Sequence, residues 1–323
     1  MSTDAKTAPP LVAVVTPVYN GAEFLAETME SVQAQTYPNI VHVVLDNAST
    51  DATPDIIASF QGKRVPLIVG RNAELLPMDE NWNAALKLIP PEAAYFRILC
   101  ADDSLFPETT ERMVALAESD PQISVVSTAL LRNGEAEDFL WPRDRNVFDS
   151  DEAIRRFFTI QGGLEARQFM VRREALESAT PFFDLNVGHS SDIDAALRML
   201  TKGKLGFLHE PLFKVREHDG NATFVEMRPL KIQFNDWLIM MRRHARQAFG
   251  DEYEHFERRY RRHYFRRLLR WRLVEKNARA YALHMELLEK IDSKPGFMDF
   301  ADAALDLALE KLGLRTGWYP YPN

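Results

Sequence analysis

Short apolar runs alternate with stretches of helical periodicity between residues 11 and 131. Near-continuous apolar runs, typical of strands buried on both faces, lie at Leu11–Thr16, Ile40–Asp46, Val65–Val69, Tyr95–Cys100 and Ile123–Leu131. Apolar residues that repeat at helical spacing predict helices between them, over 23–35, from 53 onward, over 79–88 and over 107–119. This alternation predicts an α/β fold, in which a mostly parallel sheet is flanked by helices and binds ligands beyond the carboxyl ends of its strands.

The pattern weakens after Arg132 and changes character near Pro229. A helix is predicted over 191–202, and two short apolar runs follow it at 205–208 and 212–215. Beyond Pro229 the periodicity predicts helices alone, over 230–249, 253–282 and 300–312. We therefore divide the chain into a disordered N-terminus (1–10), an α/β domain (11–228) and a helical C-terminal region (229–323).

The composition excludes several classes of protein. Lys and Arg number 39 against 47 Asp and Glu, a net charge of −8, which argues against nucleic-acid binding by the whole chain. The single cysteine, Cys100, rules out an internal disulfide and argues against a cysteine-rich zinc site. The N-terminus lacks the basic and apolar regions of a signal peptide, and no apolar run has the roughly 20 residues of a membrane-spanning helix. We therefore expect a cytoplasmic protein.

A basic amphipathic helix is predicted in the C-terminal region. Eight arginines and no acid lie between Arg258 and Arg272. An apolar stripe repeats every four residues, at Phe256, Tyr260, Tyr264 and Leu268. The stripe favours docking of this helix on the protein, with the arginines in solvent or at the interface of a homodimer. The alternative is peripheral contact of residues 256–272 with anionic lipid at the inner face of the membrane.

Acidic residues stand at the ends of the second and fourth predicted strands. Asp46 ends the second strand, and Asp102 and Asp103 follow the fourth. Because the carboxyl ends of parallel strands share one edge of the sheet, these acids repel one another unless a cation or a hydrogen-bond donor offsets the repulsion. Adjacent carboxylates suit a hard divalent cation that carries phosphate groups. The sequence contains none of the motifs of dinucleotide oxidoreductases, P-loop NTPases, zincins or α/β-hydrolases.

Several segments resemble, in order, the motifs of the family 2 glycosyltransferases: Val14–Gly21, Leu45–Asp51, Asn81–Asn83, Ala101–Pro107, Ser191–Arg198 and Pro211–His218. The resemblance covers residues 11–220, about two-thirds of the chain. It implies a GT-A fold and an enzyme that transfers a sugar from a nucleoside-diphosphate donor with inversion at the anomeric carbon. The helical C-terminal region lies outside the resemblance.

The resemblance places the nucleotide against residues of the first half of the chain. Thr16, Pro17 and Tyr19 would line the nucleobase site, and Asp46 would accept a hydrogen bond from the base. Asn83, in the third motif, belongs with the residues that bind the nucleotide-sugar. UDP is the commonest nucleotide in the family, and a UDP-sugar is therefore the expected donor.

Further residues are assigned by the same resemblance to the diphosphate and to catalysis. Asp102 would contact the ribose or the pyrophosphate, and Asp103 would hold a divalent cation, Mn²⁺ or Mg²⁺, on the pyrophosphate. Arg216 and His218 match an element near the diphosphate. Asp192, just inside a predicted helix, matches the catalytic base that takes the proton of the acceptor hydroxyl.

The sequence departs from the family pattern at three positions. Cys100 replaces the first acid of the aspartate-any-aspartate motif, and because Cys is a poor ligand for Mg²⁺, metal binding rests on Asp103. Asn47 replaces an acid near the base, and Ser191 replaces the acid that usually precedes the catalytic aspartate. Asp194 competes as the base by its spacing, but two residues further along a helix it faces another direction.

These assignments predict an inverting glycosyltransferase that moves a sugar to a hydroxyl of a glycan or lipid-linked acceptor, as in polysaccharide biosynthesis, by metal-assisted direct displacement. Two alternatives stay open, a non-catalytic nucleotide-binding scaffold protein of the same fold and a sugar nucleotidyltransferase. The presence of both Asp103 and Asp192 weakens the first alternative. The second is weakened by Pro17–Asn20, which stands where a nucleotidyltransferase carries a Gly-rich loop with an arginine.

Overall fold

The computed structural model describes residues 8–137, 139–160, 169–177, 181–218 and 230–314. Contacts between Cα atoms divide these residues into two compact units. The first unit comprises 8–137, 139–153, 169–177, 181–185 and 191–217, and the second comprises 154–160, 186–190, 218 and 230–314. Of the N-terminus predicted to be disordered, residues 1–7 lie outside the described residues. The carbonyls of Pro9 and Pro10 accept hydrogen bonds of 2.7 Å from Asn39 and Tyr37.

The first unit is built on a mixed sheet. Its strands are β1 Leu11–Val18, β2 Ile40–Asp46, β3 Leu67–Arg71, β4 Ala93–Ile98, β5 Ser104–Leu105, β6 Ile123–Arg132, β7 Glu135–Glu137, β8 Val147–Phe148, β9 Met170–Arg172 and β10 Lys204–Val215. The spatial order is β3-β2-β1-β4-β9-β6-β10-β5, with β7 on β6 and β8 on β10. The strands β3, β2, β1 and β4 are parallel to their neighbours, as are β6 and β10, while β9 is antiparallel to both β4 and β6. The predicted α/β class with a mostly parallel sheet is confirmed.

Helices connect the strands of the first unit. They are α1 Leu25–Gln33, α2 Thr53–Ser59, α3 Met78–Leu86, α4 Thr109–Ser119, α6 Glu174–Glu177 and α7 Ser191–Leu200. The helix α5 Ser150–Ile160 begins in the first unit and ends in the second, and of the 3-10 turn over Leu185–Ser190, which precedes α7, only Leu185 belongs to the first unit. The two apolar runs predicted at 205–208 and 212–215 belong to the single strand β10, whose pairing register with β6 shifts around Pro211. The shortest strands were missed because two or three residues carry no readable periodicity.

A histidine is buried in the middle of the sheet, on strand β2. The His42 Nε2 and the Thr16 Oγ1 on β1 lie 2.9 Å apart, and burial lowers the pKa of His42 to about 3. Its Nδ1 has no hydrogen-bond partner among the described residues. The neutral tautomer that leaves Nδ1 without a proton is therefore favoured, so that Nε2 donates to Thr16.

The second unit is helical. Its main helices are α8 Gln233–Phe249, α9 Tyr253–Leu273, α10 Ala278–Lys290 and α11 Phe297–Lys311. The single helix predicted over 253–282 is wrong, because the chain breaks between α9 and α10. At the break Lys276 adopts a φ of 53°, and the Asn277 side chain accepts a hydrogen bond of 3.0 Å from the Ala280 amide and caps α10. No helix in the described part of the chain is both long and apolar enough to cross a bilayer.

The aromatic stripe of α9 is buried, as its spacing predicts. The buried side chains are Tyr253, Phe256, Tyr260, Tyr264, Phe265, Leu268 and Trp271. The Tyr260 hydroxyl donates to the Phe234 carbonyl at 2.7 Å, so the stripe also satisfies a polar group inside the unit. The arginines of the same helix therefore lie on its remaining faces.

We predict that His42 makes the first unit sensitive to acid. Below pH 6.5 the unfolded chain binds a proton at this position that the native state rejects until pH is about 3, so the free energy of unfolding falls as pH falls through this window. The slope from this one group rises to about 1.4 kcal/mol per pH unit as pH falls below 6.5. Urea unfolding of His42→Gln between pH 7 and 5 should show a shallower loss of stability than the parent. His255→Gln, on the exposed side of α9, should match the parent, and equal slopes for both variants would refute the assignment.

Candidate functional site

Hydrogen bonds connect the loop that follows β1 to the loop that follows β2. The backbone amides of residues 20, 21 and 22 donate to the side chains of Ser49, Thr53 and Asp51 at 2.9, 2.8 and 3.1 Å. These side chains satisfy amides at a sheet edge that would otherwise need water. The carboxyl ends of the two strands are thereby held in one fixed arrangement.

Asp46 ends β2 as a buried carboxylate with two fixed partners. One oxygen accepts a hydrogen bond of 2.9 Å from the Ser49 amide, and the other is ion-paired with Arg71 at the end of β3. The guanidinium also donates to the Ser49 carbonyl at 2.9 Å. Since the Arg71 side chain is half exposed, the pair places a cation and an anion side by side at the predicted nucleobase site.

Asn47 shapes the chain that follows β3. Its side-chain oxygen accepts from the Leu76 amide at 3.0 Å and from the Asn72 side chain at 2.8 Å, while its nitrogen donates to the Leu76 carbonyl at 2.9 Å. The Asn72 side chain also donates to Asn81 at 2.9 Å. The side-chain amide at position 47 thus makes a hydrogen bond to the Leu76 carbonyl that a carboxylate, which lacks a donor, could not make.

The three residues predicted to line the nucleobase site differ in exposure. Thr16 and Pro17 are buried within β1, and the Thr16 hydroxyl is the partner of His42. Tyr19 lies just beyond the strand and is exposed. Of the three, Tyr19 therefore offers the most side-chain surface to a ligand.

The turn that carries Asp102 and Asp103 follows β4 and rests on α1. The Thr28 hydroxyl lies 2.9 Å from the Ala101 carbonyl and 2.8 Å from the Asp103 carbonyl. The Asp103 amide donates to the Cys100 carbonyl at 3.1 Å. One oxygen of the buried Asp103 carboxylate accepts from the Arg216 amide at 3.0 Å. The carboxylate is thus held in place from the end of β10.

Cys100, Asp102 and Asp103 form a group that fits a divalent cation. One potential ligand atom from each residue lies within 4.8 Å of the others. Two carboxylates are the hard oxygen ligands that Mg²⁺ and Mn²⁺ prefer, whereas the thiol is soft and adds little for Mg²⁺. The donor chemistry therefore fits an ion held mainly by Asp103 and Asp102.

A buried arginine compensates Asp103 from within the core. Arg97 on β4 is almost fully buried, and its guanidinium lies 3.3 Å from the Met113 sulfur. Burial lowers the pKa of Arg97 to about 10, while the negative charge of Asp103 acts in the opposite direction. Arg97 therefore stays protonated at neutral pH and supplies positive charge behind the acidic turn.

Arg216 lies beside the same turn, directly after β10. Its Nε donates to the Asp102 carbonyl at 3.3 Å, its terminal nitrogen is ion-paired with Glu27, and its guanidinium stacks 4.6 Å from the Phe24 ring centroid. A cleft of about 300 Å³ opens between Asp102, Arg216 and the neighbouring Lys214. The structure thus brings together three of the predicted residues, Asp102, Asp103 and Arg216.

Asp192 lies on a separate element, in the first turn of α7. Its side chain is partly exposed and accepts a hydrogen bond of 2.8 Å from the Ile193 amide, whereas Asp194 is buried. The Ser191 hydroxyl donates to Asp79 on α3 at 2.8 Å and ties the two helix ends together. Of the two candidate bases, Asp192 is the more accessible to a substrate.

Two further residues were predicted to bind the donor, Asn83 and His218. The Asn83 side chain forms a pair of hydrogen bonds with the backbone of Phe183, at 2.9 and 3.0 Å. A role for Asn83 in binding the donor stays a prediction beside this structural one. His218 is the first described residue of the second unit after β10, and its role near the diphosphate also stays a prediction.

Arg71 and Arg97 were not among the residues predicted from the sequence. Arg71 ends β3, next to the end of β2 that carries Asp46. Arg97 lies on β4, the strand that precedes Asp102 and Asp103. A basic residue within an apolar strand run is unusual, since buried cations need a paired anion. That mismatch was the available signal for Arg97, within the predicted strand Tyr95–Cys100, but it does not tell which acid is the partner. Arg71 lies beyond the predicted strand Val65–Val69, and no such signal marked it.

The chain matches the profile described as Glycosyl transferase family 2 over residues 13–179. An uncharacterized glycosyltransferase of Rickettsia typhi is 25% identical over 224 residues, which cover 69% of each chain. Glycosyltransferase GlyG of Streptococcus pneumoniae is 21% identical over 226 residues, or 67% of this chain and 74% of GlyG.

Solved structures share the fold. TarS 1-349 of S. aureus in complex with UDP-GlcNAc has a TM-score of 0.61 and 15% identity, and the match covers 93% of this chain and 81% of the 1-349 chain. The mannosyltransferase PcManGT of Pyrobaculum calidifontis in complex with GDP-Man and Mn²⁺ has a TM-score of 0.56 and 18% identity, with 94% and 81% covered. At these identities the likeness shows the fold alone.

The family profile covers more than half of the chain, and it does so across the strands that carry the acidic edge. This protein belongs to glycosyltransferase family 2 and is a nucleotide-sugar-dependent glycosyltransferase with a GT-A-like fold and a helical C-terminal region.

Proposed function

We propose that this glycosyltransferase takes its sugar from a UDP-sugar and transfers it, with inversion, to a hydroxyl of a glycan or a lipid-linked acceptor. The observation that carries the proposal is the group of Asp102, Asp103 and Arg216 at the carboxyl edge of the sheet. An anionic diphosphate is stabilised by a divalent cation and by a fixed guanidinium; Asp102 and Asp103 could hold the cation, and Arg216 supplies the guanidinium.

The pair of Asp46 and Arg71 supports a uracil base. The imide N–H of uracil needs an acceptor, and its flanking carbonyls need a donor, which a carboxylate beside a guanidinium supplies. TarS is bound to UDP-GlcNAc in its crystal structure, which supports the same nucleotide here. PcManGT is bound to GDP-Man, and guanine also carries an N–H next to a carbonyl, so GDP is the nucleotide to test against UDP.

Asp103 and Asp102 would hold Mn²⁺ or Mg²⁺. When bound, the ion would stabilise the negative charge that develops on the departing diphosphate. Asp103 is prepared for this role because the Arg216 amide fixes one of its oxygens, and Arg97 balances its charge from the core. The Arg216 guanidinium, held by Glu27 and Phe24, adds a positive charge that needs no reorganisation during the reaction.

Asp192 would act as the general base. Its carboxylate takes the proton of the acceptor hydroxyl while that oxygen forms a bond to the anomeric carbon. The bond from this carbon to the diphosphate oxygen breaks on the opposite face, and the nucleoside diphosphate leaves with the electron pair. A single displacement of this kind inverts the anomeric centre and forms no covalent intermediate with the protein.

We predict a metal-dependent stabilisation by UDP. In a thermal-shift assay with Mn²⁺ or Mg²⁺, UDP at about 100 times its dissociation constant should add about 2.7 kcal/mol to the free energy of unfolding. EDTA should remove most of the shift, and so should Asp103→Asn. Asp55→Asn, an exposed carboxylate on α2, should leave the shift unchanged. A shift with GDP in place of UDP would overturn the choice of nucleotide, and no shift with any nucleotide would overturn the site.

We predict that Asp192→Asn abolishes transfer but not donor binding. Loss of a general base lowers kcat by about 10²–10⁴-fold, while the UDP-induced thermal shift should match the parent. Asp194→Asn provides the comparison, since it removes the neighbouring buried carboxylate. If Asp194→Asn loses turnover with an intact thermal shift while Asp192→Asn keeps it, the base has been assigned to the wrong residue.

A further inference from the structure

The helix α11 is attached to α9 through its charged residues. Arg261, Arg262 and Arg266 on α9 pair with acids of α11: Arg261 lies 3.7 Å from Asp299, Arg262 pairs with Asp302, and Arg266 lies 3.2 Å from Asp306 and 2.6 Å from Glu310. Only Ala303 of α11 is fully buried. The acids of this helix therefore face the protein, which is the reverse of the usual arrangement of a surface helix.

The other side of α11 is apolar and faces outward. Met298, Ala301, Leu305, Ala308 and Leu312 follow one another at alternating intervals of three and four. The three large members are 75%, 58% and 71% exposed, and the adjacent Phe297 is 84% exposed. We call the five residues spaced by three and four, from Met298 to Leu312, the outer stripe of α11. A contiguous apolar stripe of this kind on an outward helix face marks an interaction surface.

The spacing of the outer stripe is that of a seam between two helices. Intervals of three and four give the period of 3.5 residues that keeps one side of a helix against a partner. Large and small side chains alternate along the stripe, so in an antiparallel pair the leucines of one helix can lie over the alanines of the other. The stripe is thus complementary to its own sequence, as a twofold interface requires.

A groove beside the stripe is lined by apolar residues and by charged residues of α9 and α11. It lies between α9 and α11 with a volume of about 640 Å³, and Ala304 and Leu307 line it from α11. Leu273 and Val274, at the end of α9, line its other side and are strongly exposed. Stripe and groove together give a second helix a surface broader than one row of residues.

The charges near the stripe disfavour an anionic membrane. Helices that lie on such membranes carry Lys and Arg on their polar face, whereas α11 carries four acids and the single Lys311. The arginines of α9 that face α11 are neutralised by these acids, and Arg267 and Arg270 pair with Glu275. Less positive charge is thus available to lipid than the sequence of residues 256–272 indicates.

We propose that the outer stripe of α11 binds the same stripe of a second copy of this chain and forms a twofold dimer. The proposal does not depend on the identity of the donor or the acceptor. Sedimentation equilibrium of the full chain at micromolar concentration should give twice the chain mass.

Two substitutions test the stripe. Leu305→Glu, at an exposed position, should raise the dimer dissociation constant by about tenfold or more, with unchanged circular dichroism. Ala301→Leu adds apolar surface but fills a small position, so it should weaken the dimer, although it would strengthen any nonspecific apolar contact. Leu140→Glu, at an exposed apolar position of the first unit, should leave the dimer intact.

Three results would overturn the proposal. A monomeric parent chain is one, and a dimer that both stripe variants preserve is another. The third is a monomer that sediments with anionic liposomes and does so more strongly as Ala301→Leu, because this outcome assigns the stripe to a membrane.

Discussion

Repulsion among carboxylates at one edge of the sheet is the constraint on which the site in the first unit depends. Buried acids are stable as anions only when cations or hydrogen-bond donors lie beside them. Asp46 is balanced by Arg71 at the surface, and Asp103 by Arg97 in the core and by the Arg216 amide at the edge. Asp46 is thus held by the end of the neighbouring strand β3. Asp103 is held by β4, the strand that precedes it, and by the residue that follows β10. The site exists because the sheet brings these elements together.

Polar side chains near the edge also hold its loops in place. Thr28 supports the acidic turn, and Asn47 fixes the chain after β3. A ligand therefore meets a site whose loops are fixed beforehand, and less ordering is needed on binding. Preorganised dipoles of this kind are also what electrostatic catalysis requires.

The sequence predicted most of the sheet because buried parallel strands are continuous apolar runs, as Ile40–Asp46 illustrates. It placed Asp46, Asp102 and Asp103 at strand ends for the same reason. Their cations, Arg71 and Arg97, could not be assigned because pairing across strands depends on register and side-chain direction, which local patterns do not contain. The break after α9 was missed because residues 274–277 contain neither Gly nor Pro, and a left-handed Lys276 leaves no trace in periodicity.

The thiol in the acidic turn gives the site a mixed chemical character. With Cys100 beside two carboxylates, the group combines a soft donor with hard ones, where an all-acid motif would present hard donors alone. Thiophilic ions such as Zn²⁺ bind this mixture more strongly than Mg²⁺ does, in keeping with the general order of divalent affinities. Which ion fills such a site in a living cell is then decided by the relative supply of free metals as much as by the protein. The single sulfur atom would thereby widen the range of divalent ions that this turn can hold.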